Sequence, residues 1–193
     1  MLDGVLFFPV TPFTASGEVD YDLLAAHITK GVDAGPGGVF IACGTGDLDQ
    51  VGRIVRAVLD ALEPSGKPFQ FFNGLPTAEV SQQAYRAIGV TLYSSATFAF
   101  APELALAFYR SLDSGNEKLT AALLREFFHP LVRLRDKVPG YAVSLIKAGV
   151  TMEGIEAGPV RPPLVDISAP HLEELTAIVA AGRAVLADEL AVH

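Results

Sequence analysis

The stretch from Gly37 to Gly52, GGVFIACGTGDLDQVG, restricts the fold of this chain more than any other, because an apolar run meets a glycine turn and then a helix start. Val39 to Ala42 is continuously apolar and follows two glycines, which suits a strand covered on both faces of a parallel sheet. Cys43-Gly44-Thr45-Gly46 turns the chain, and Asp47 is placed to cap the next helix. A strand that ends this way leaves backbone N–H groups free, a geometry that suits a small anion such as a carboxylate. Asp47 opposes that use, since a capping carboxylate takes the same N–H groups and repels a second negative charge. Many α/β units turn in this way without binding anything, so the turn alone assigns no function.

The same alternation recurs along the chain. Gly4 to Pro9 is a first apolar run, and Asp20 opens a helix whose apolar face is Leu23, Leu24, His27, Ile28 and Val32, ending at Gly35-Pro36-Gly37. Leu48, Val51, Val55, Val58 and Leu62 mark a second helix that stops before Pro64. Phe69 to Phe72 reads as a strand closed by the turn Asn73-Gly74-Leu75-Pro76, Thr77 to Ile88 as a helix, and Val90 to Tyr93 as a fourth strand ending in Ser94-Ser95. A helix then runs to Leu112, with Ser114-Gly115-Asn116 as its stop. Four β-α units in succession predict right-handed parallel crossovers whose loops at the strand C-termini share one face. Ligands bind at that face, where Thr11, Thr45, Asn73, Ser94, Ser95 and Thr97 collect. None of these is by itself a strong acid, base or nucleophile.

The remainder reads as helical. Glu117 to Arg135 carries Leu119, Leu123, Phe127, Leu131 and Leu134, with Pro130 expected to kink it. Tyr141 to Val150 and His171 to Leu190 follow, joined by an extended segment at Val160 to Leu164. Arg133, Arg135 and Lys137 read as a solvated helix end.

Composition decides between partners. Half of the residues are hydrophobic and the mean hydropathy is +0.37, enough for a sizeable core. A net charge of −8 disfavours nucleic acid and anionic membrane, leaving a small molecule or another subunit as the expected partner. The uncharged stretch 87–102 is interrupted by Ser94, Ser95, Thr97 and Pro102 and falls short of the roughly 18 to 20 apolar residues a span needs. Cys43 has no second cysteine to pair with, and Met1 opens no basic-then-apolar leader, so a cytoplasmic location is expected. The four histidines have no metal-ligand spacing, and no metal, nucleotide or other cofactor is implied.

Six segments carry a resemblance. Phe8-Pro9-Val10-Thr11-Pro12-Phe13, the turn Cys43-Gly44-Thr45-Gly46 and Val160-Arg161-Pro162-Pro163-Leu164 resemble the dihydrodipicolinate synthase and N-acetylneuraminate lyase family. Phe71 to Glu79, Leu92 to Ala96 and Arg133 to Tyr141 resemble one branch of it, decarboxylating hydro-lyases that release water and CO₂ from a keto acid. The resemblance implies a (β/α)₈ barrel with C-terminal helices and a lysine Schiff base that makes a 2-keto acid an electron sink. It further implies that Gly44 and Thr45 hold the substrate carboxylate, with Asn73, Ser94 and Ser95 lining the mouth, although the family usually has glutamate at the position of Asp47.

The same resemblance implies a gap. A complete barrel takes about 250 residues, and this chain offers four strand candidates. The family's strands three to six have no counterpart, and with them go its tyrosine and its Phe-Lys-Asp-Gly lysine segment, which occurs nowhere here. Lys30, Lys67, Lys118, Lys137 and Lys147 fall on helices or loops instead, so no catalytic residue is assigned. An internal deletion between two similar Gly-Thr-Gly stretches accounts for this. The expectation is a partial TIM barrel of about four parallel strands, in the order 7-8-1-2 of the full barrel, over residues 1–115, with a helical extension over 116–193. Exposed sheet edges then favour a homo-oligomer. Two functions compete: a lyase of this family, inactive as this chain for want of its lysine, and a non-catalytic partial barrel that binds a keto acid or assembles with another subunit. An unrelated doubly wound binding protein is a third reading, disfavoured by the length of the matching segments.

Overall fold

The computed structural model describes residues 6–7, 12, 14, 16, 18–34, 38–39, 48–63 and 71–191. In chain order the elements are β1 (Leu6–Phe7), α1 (Tyr21–Asp33), β2 (Gly38–Val39), α2 (Leu48–Leu62), β3 (Phe72–Asn73) and α3 (Gln82–Ala87), then β4 (Leu92–Tyr93) and α4 (Pro102–Ser114). They continue with α5 (Glu117–Leu123), α6 (His129–Arg135), α7 (Tyr141–Met152) and α8 (Ala169–Ala191). Two compact units emerge: residues 1–75 with 84–93, and residues 76–83 with 94–193. Residue 115, the expected end of the barrel part, falls inside the second unit as the C-cap of α4.

All four strands belong to the first unit. β1 pairs with β2 in parallel, Leu6 opposite Gly38, and β3 pairs with β4 in parallel, Phe72 opposite Leu92 and Asn73 opposite Tyr93. The pairings thus form two separate two-stranded sheets among the described residues. Parallel neighbours need a crossover, and α1 and α3 supply one for each pair. Asp20 caps α1 as expected, its carboxylate accepting the Leu23 N–H at 2.9 Å. Leu24, Ile28 and Val32 of α1 pack with Val19, Ile54 and Val58, whereas Leu23, expected on the buried face, points to solvent. A second cluster joins Val55 to Tyr85 and Val90. Each fully buried aliphatic side chain contributes about 1.5 to 3 kcal/mol.

The second unit is helical. Phe100, Leu104, Phe108, Leu123, Phe127, Phe128, Leu134, Leu145 and Leu175 are buried in it. Phe128 lies edge-on to both Phe108, at 4.8 Å, and Phe127, at 4.9 Å. The expected single helix over Glu117 to Arg135 is interrupted between α5 and α6 by a π-helical segment, Leu124–Phe128. Pro130 explains the position of the break. It offers no N–H to the carbonyl four residues earlier and its ring crowds that turn, so the helix widens upstream of it rather than simply bending.

Two further departures concern turns. Residues Thr77 to Ile88 form no continuous helix: a 3₁₀ turn, Ala78–Val80, precedes the short α3. Thr77 has φ +53°, outside the helical region, and Ser81 at φ −111° separates the two pieces. Val160 to Leu164 is not fully extended either, since the Leu164 N–H donates to the Arg161 carbonyl at 3.1 Å.

Candidate functional site

Of the expected site residues, Gly44 and Thr45 lie outside the described residues, as do Thr11, Cys43 and Asp47. Asn73 ends β3 and is fully buried in the first unit. Its Oδ1 accepts the Leu75 N–H at 3.1 Å, so the side chain shapes the Asn-Gly turn from inside. Ser94 and Ser95 follow β4 and belong to the second unit, Ser94 exposed and Ser95 half-buried.

In the second unit Ser95 has a partner that sequence reasoning missed. Its hydroxyl donates to Oε1 of Glu79. Glu79 sits in the 3₁₀ turn Ala78–Val80, which packs against the π-helical segment, and it is entirely buried there. Its other oxygen, Oε2, is buried without a hydrogen-bond partner. Burial therefore pushes the Glu79 carboxyl above the ordinary glutamate range, opposed by the Ser95 hydroxyl and by the residue's own backbone amide. A carboxyl held this way favours its neutral form. It can keep a proton, hold a neighbouring hydroxyl, and offer one unused oxygen.

The turn that carries Glu79 is fastened at its start. Arg135, at the end of α6, donates through Nη1 to the Pro76 carbonyl at 3.1 Å and to Thr77 Oγ1 at 2.9 Å, while its Nε pairs with Asp136 at 2.8 Å. The basic cluster read from sequence as a solvated helix end thus includes a structural clamp. Lys137 pairs with Glu174 at 2.5 Å on the surface. A signal for Glu79 existed in the sequence: on a helical face it has no base three or four residues away, Gln82 and Gln83 being its neighbours there.

Among the described residues the lysines are exposed or already hydrogen-bonded, whereas a Schiff-base nucleophile wants a desolvated amine. Lys30 and Lys118 are exposed, Lys137 is paired, Lys147 donates to the Pro159 carbonyl at 2.6 Å, and Lys67 lies outside the described residues. A cleft of about 930 Å³ in the first unit, at Tyr21, Arg53, Arg56, Asp60 and Ile88, contains none of the expected site residues. Among the described residues, no cluster of three or more His, Cys, Asp or Glu has the arrangement of a metal site, and no helix is long and apolar enough to cross a membrane.

Comparison with known proteins adds what geometry alone does not. Residues 49–182 match the family model described as the dihydrodipicolinate synthetase family. A probable 5-dehydro-4-deoxyglucarate dehydratase of Streptomyces griseus is 54% identical over 156 residues, which cover 81% of this chain and 48% of that protein. The sialic acid aldolase of Ruminococcus gnavus superposes with a TM-score of 0.66 at 18% identity, over 96% of this chain and 56% of that one. A dihydrodipicolinate synthase from Thermotoga maritima gives a TM-score of 0.65 at 20% identity, over 95% of this chain and 57% of that one. These structural likenesses bear on the fold, which is that of the TIM-barrel lyases. The chain spans about half the length of the curated relatives it matches.

Proposed function

The chain belongs to the dihydrodipicolinate synthetase family, and from that premise we propose that it carries part of the keto-acid scaffold of a 5-dehydro-4-deoxyglucarate dehydratase. The complete reaction releases water and CO₂ and leaves 2,5-dioxopentanoate. The observation that carries this reading is the 54% identity over 81% of the chain with a probable dehydratase of that name. In this proposal Gly44 and Thr45 hold a substrate carboxylate, and Asn73, Ser94 and Ser95 contribute to the mouth. Two strand pairs, β1–β2 and β3–β4, support reading the four strands as 1-2 and 7-8 of a barrel with strands three to six deleted.

The chemistry of the whole reaction asks for an amine to attack the ketone and a group to move the proton. No Phe-Lys-Asp-Gly segment is present to supply that amine. The reading is therefore a cytoplasmic scaffold that binds a keto acid without turning it over. A second reading follows from the same gap, in which the chain assembles with another copy that completes it. Isothermal titration of the 193-residue chain with 5-dehydro-4-deoxyglucarate, followed by borohydride trapping and intact mass spectrometry, tests both. Saturable binding without an adduct supports the scaffold. An adduct on one lysine overturns the inactivity, and absence of binding overturns the reading. Sedimentation of the same sample at several concentrations tests self-assembly.

A further inference from the structure

The outward side of α2 carries its charges in one order. Arg53 and Arg56 come first, Asp60 lies in the last turn and Glu63 just past the helix end, and all four are exposed. Val58 is fully buried in the first unit. At about 100° per residue, Arg53, Arg56 and Asp60 lie within about 40° of the line opposite Val58, and Glu63 continues it. Within a single helix this order is the weaker one, because a base four residues before an acid runs against the helix dipole. Arg56 and Asp60 hold that spacing, yet among the described residues neither enters an ion pair. Between two antiparallel copies of α2 the same order matches. A two-fold axis at the level of Val58 sets Arg56 against Asp60 of the other copy, and Arg53 against Glu63, since the members of each pair stand equally far on either side of that level. The same axis exchanges Ala57 with Leu59, so a small residue meets a leucine that is 40% exposed. Both line the cleft of about 930 Å³ beside Tyr21 and Ile88, which gives the incoming leucine an apolar wall. With a net charge of −8, copies of this chain repel one another unless opposite charges meet in register.

We propose that the outward face of α2 is the contact face of a homodimer, in which two copies pack antiparallel and Arg56 and Asp60 pair reciprocally. The inference rests on the self-assembly reading above and gives it a surface of its own, distinct from exposed sheet edges. A single helix pair is a small interface, so association in roughly the micromolar range is expected.

The test is sedimentation of the full 193-residue chain and of two charge reversals, Arg56→Glu and Asp60→Arg, each alone and then mixed in equal amounts. Either reversal sets like charges opposite each other twice per dimer, and self-association is expected to weaken about 10-fold or more. In the mixture each variant supplies the charge that the other needs, so both contacts become attractive again. Dimers are expected to return there to within about 3-fold of the parent affinity, and added salt to weaken the parent and the mixture alike. The mixture carries the same total charge as the parent, so a general change in repulsion does not account for recovery. Recovery also shows that both variants are folded. Variants that associate as strongly as the parent overturn the inference and leave self-assembly to the sheet edges. Variants that dissociate and stay apart when mixed, while circular dichroism shows both folded, overturn the antiparallel pairing and with it the proposal. If either variant does not fold, Arg56→Gln and Asp60→Asn take their place, and association unchanged in both overturns the proposal. A parent chain that stays monomeric up to about 100 μM overturns this inference together with the self-assembly reading, and leaves keto-acid binding untouched.

Discussion

Arg135 Nη1 donates to Thr77 Oγ1 at 2.9 Å, joining residues 58 positions apart in the second unit. Thr77 is the one non-glycine residue with positive φ among those described, and a β-branched side chain in the left-handed region costs about 1 to 2 kcal/mol. The guanidinium offsets that cost by bonding both the Thr77 hydroxyl and the Pro76 carbonyl. Thr77→Gly relieves the strain while losing the hydroxyl, so its stability falls within about 1 kcal/mol of the parent. Thr77→Val keeps the strain and loses the bond, and is less stable than the parent by about 1.5 to 3 kcal/mol. Urea unfolding of the two variants checks the order, and equal midpoints would discard the clamp.

Glu79 makes stability depend on pH in a direction opposite to most paired carboxylates. Its native pKa is raised by burial, so the native state holds its proton after the unfolded chain has released it. The contribution is complete below the unfolded value, about 4.3, and is lost as pH rises from there through the raised native value. Glu79→Gln, which has no proton to lose, removes this slope. Denaturation midpoints of the parent and Glu79→Gln across that window should diverge, the parent weakening relative to the variant. Parallel curves would show that the carboxyl ionises normally.

Two buried helical glycines should respond unequally to alanine. A Cβ at Gly149 would stand 2.5 Å from Phe100 Cγ and 2.9 Å from its Cβ, atoms close to the backbone that cannot swing aside. Gly149→Ala is expected to cost about 1 to 3 kcal/mol in spite of alanine's better helix propensity. At Gly182 the nearest atom is Leu104 Cδ1, 2.8 Å away at the tip of a flexible side chain, although Phe127 follows at 3.0 Å. Gly182→Ala should therefore be the milder change, and thermal melts of the pair rank them.

Arg183 bridges Glu103 and Glu153, each at 2.8 Å, on the surface of the second unit. All three side chains remain partly exposed to solvent, which screens the pairs. Arg183→Ala should lower stability by no more than about 1 kcal/mol, and the difference should shrink as salt is added. A loss that persists in high salt would place packing of the arginine stem above charge.

Much of the helical order was legible in the sequence because it rests on local signals. Asp20 before an apolar period, Gly115 after one, and the break before Pro64 mark helix ends that the structure keeps. The strands were legible as apolar runs closed by turns, while among the described residues they form two separate pairs and not the one contiguous order 7-8-1-2 expected from the resemblance. What was hidden depends on contacts distant in sequence. Thr77 to Ile88 reads as one helix by composition, yet Arg135 bonds Thr77 in a left-handed conformation, and only a 3₁₀ turn follows it before the short α3. Ser95 was found as a polar strand end, while its partner Glu79 looked like one more helical acid. The bond between them spans 16 residues and follows from packing rather than from spacing.

The π-helical segment before Pro130 carries one residue more per turn than its neighbours. Phe127 and Phe128, adjacent in sequence, are both buried, and the inward positions run Leu123, Phe127, Phe128, Leu131. The segment works as a gear offset between two halves of one rod. Wind Leu124–Phe128 as ordinary α-helix instead, with no residue removed, and everything beyond it turns by roughly one residue's worth, about 100°, about the helix axis. Arg135 would be carried round with the rest and its fork would face away from Thr77. The aim of one guanidinium thus depends on an irregularity some two turns upstream.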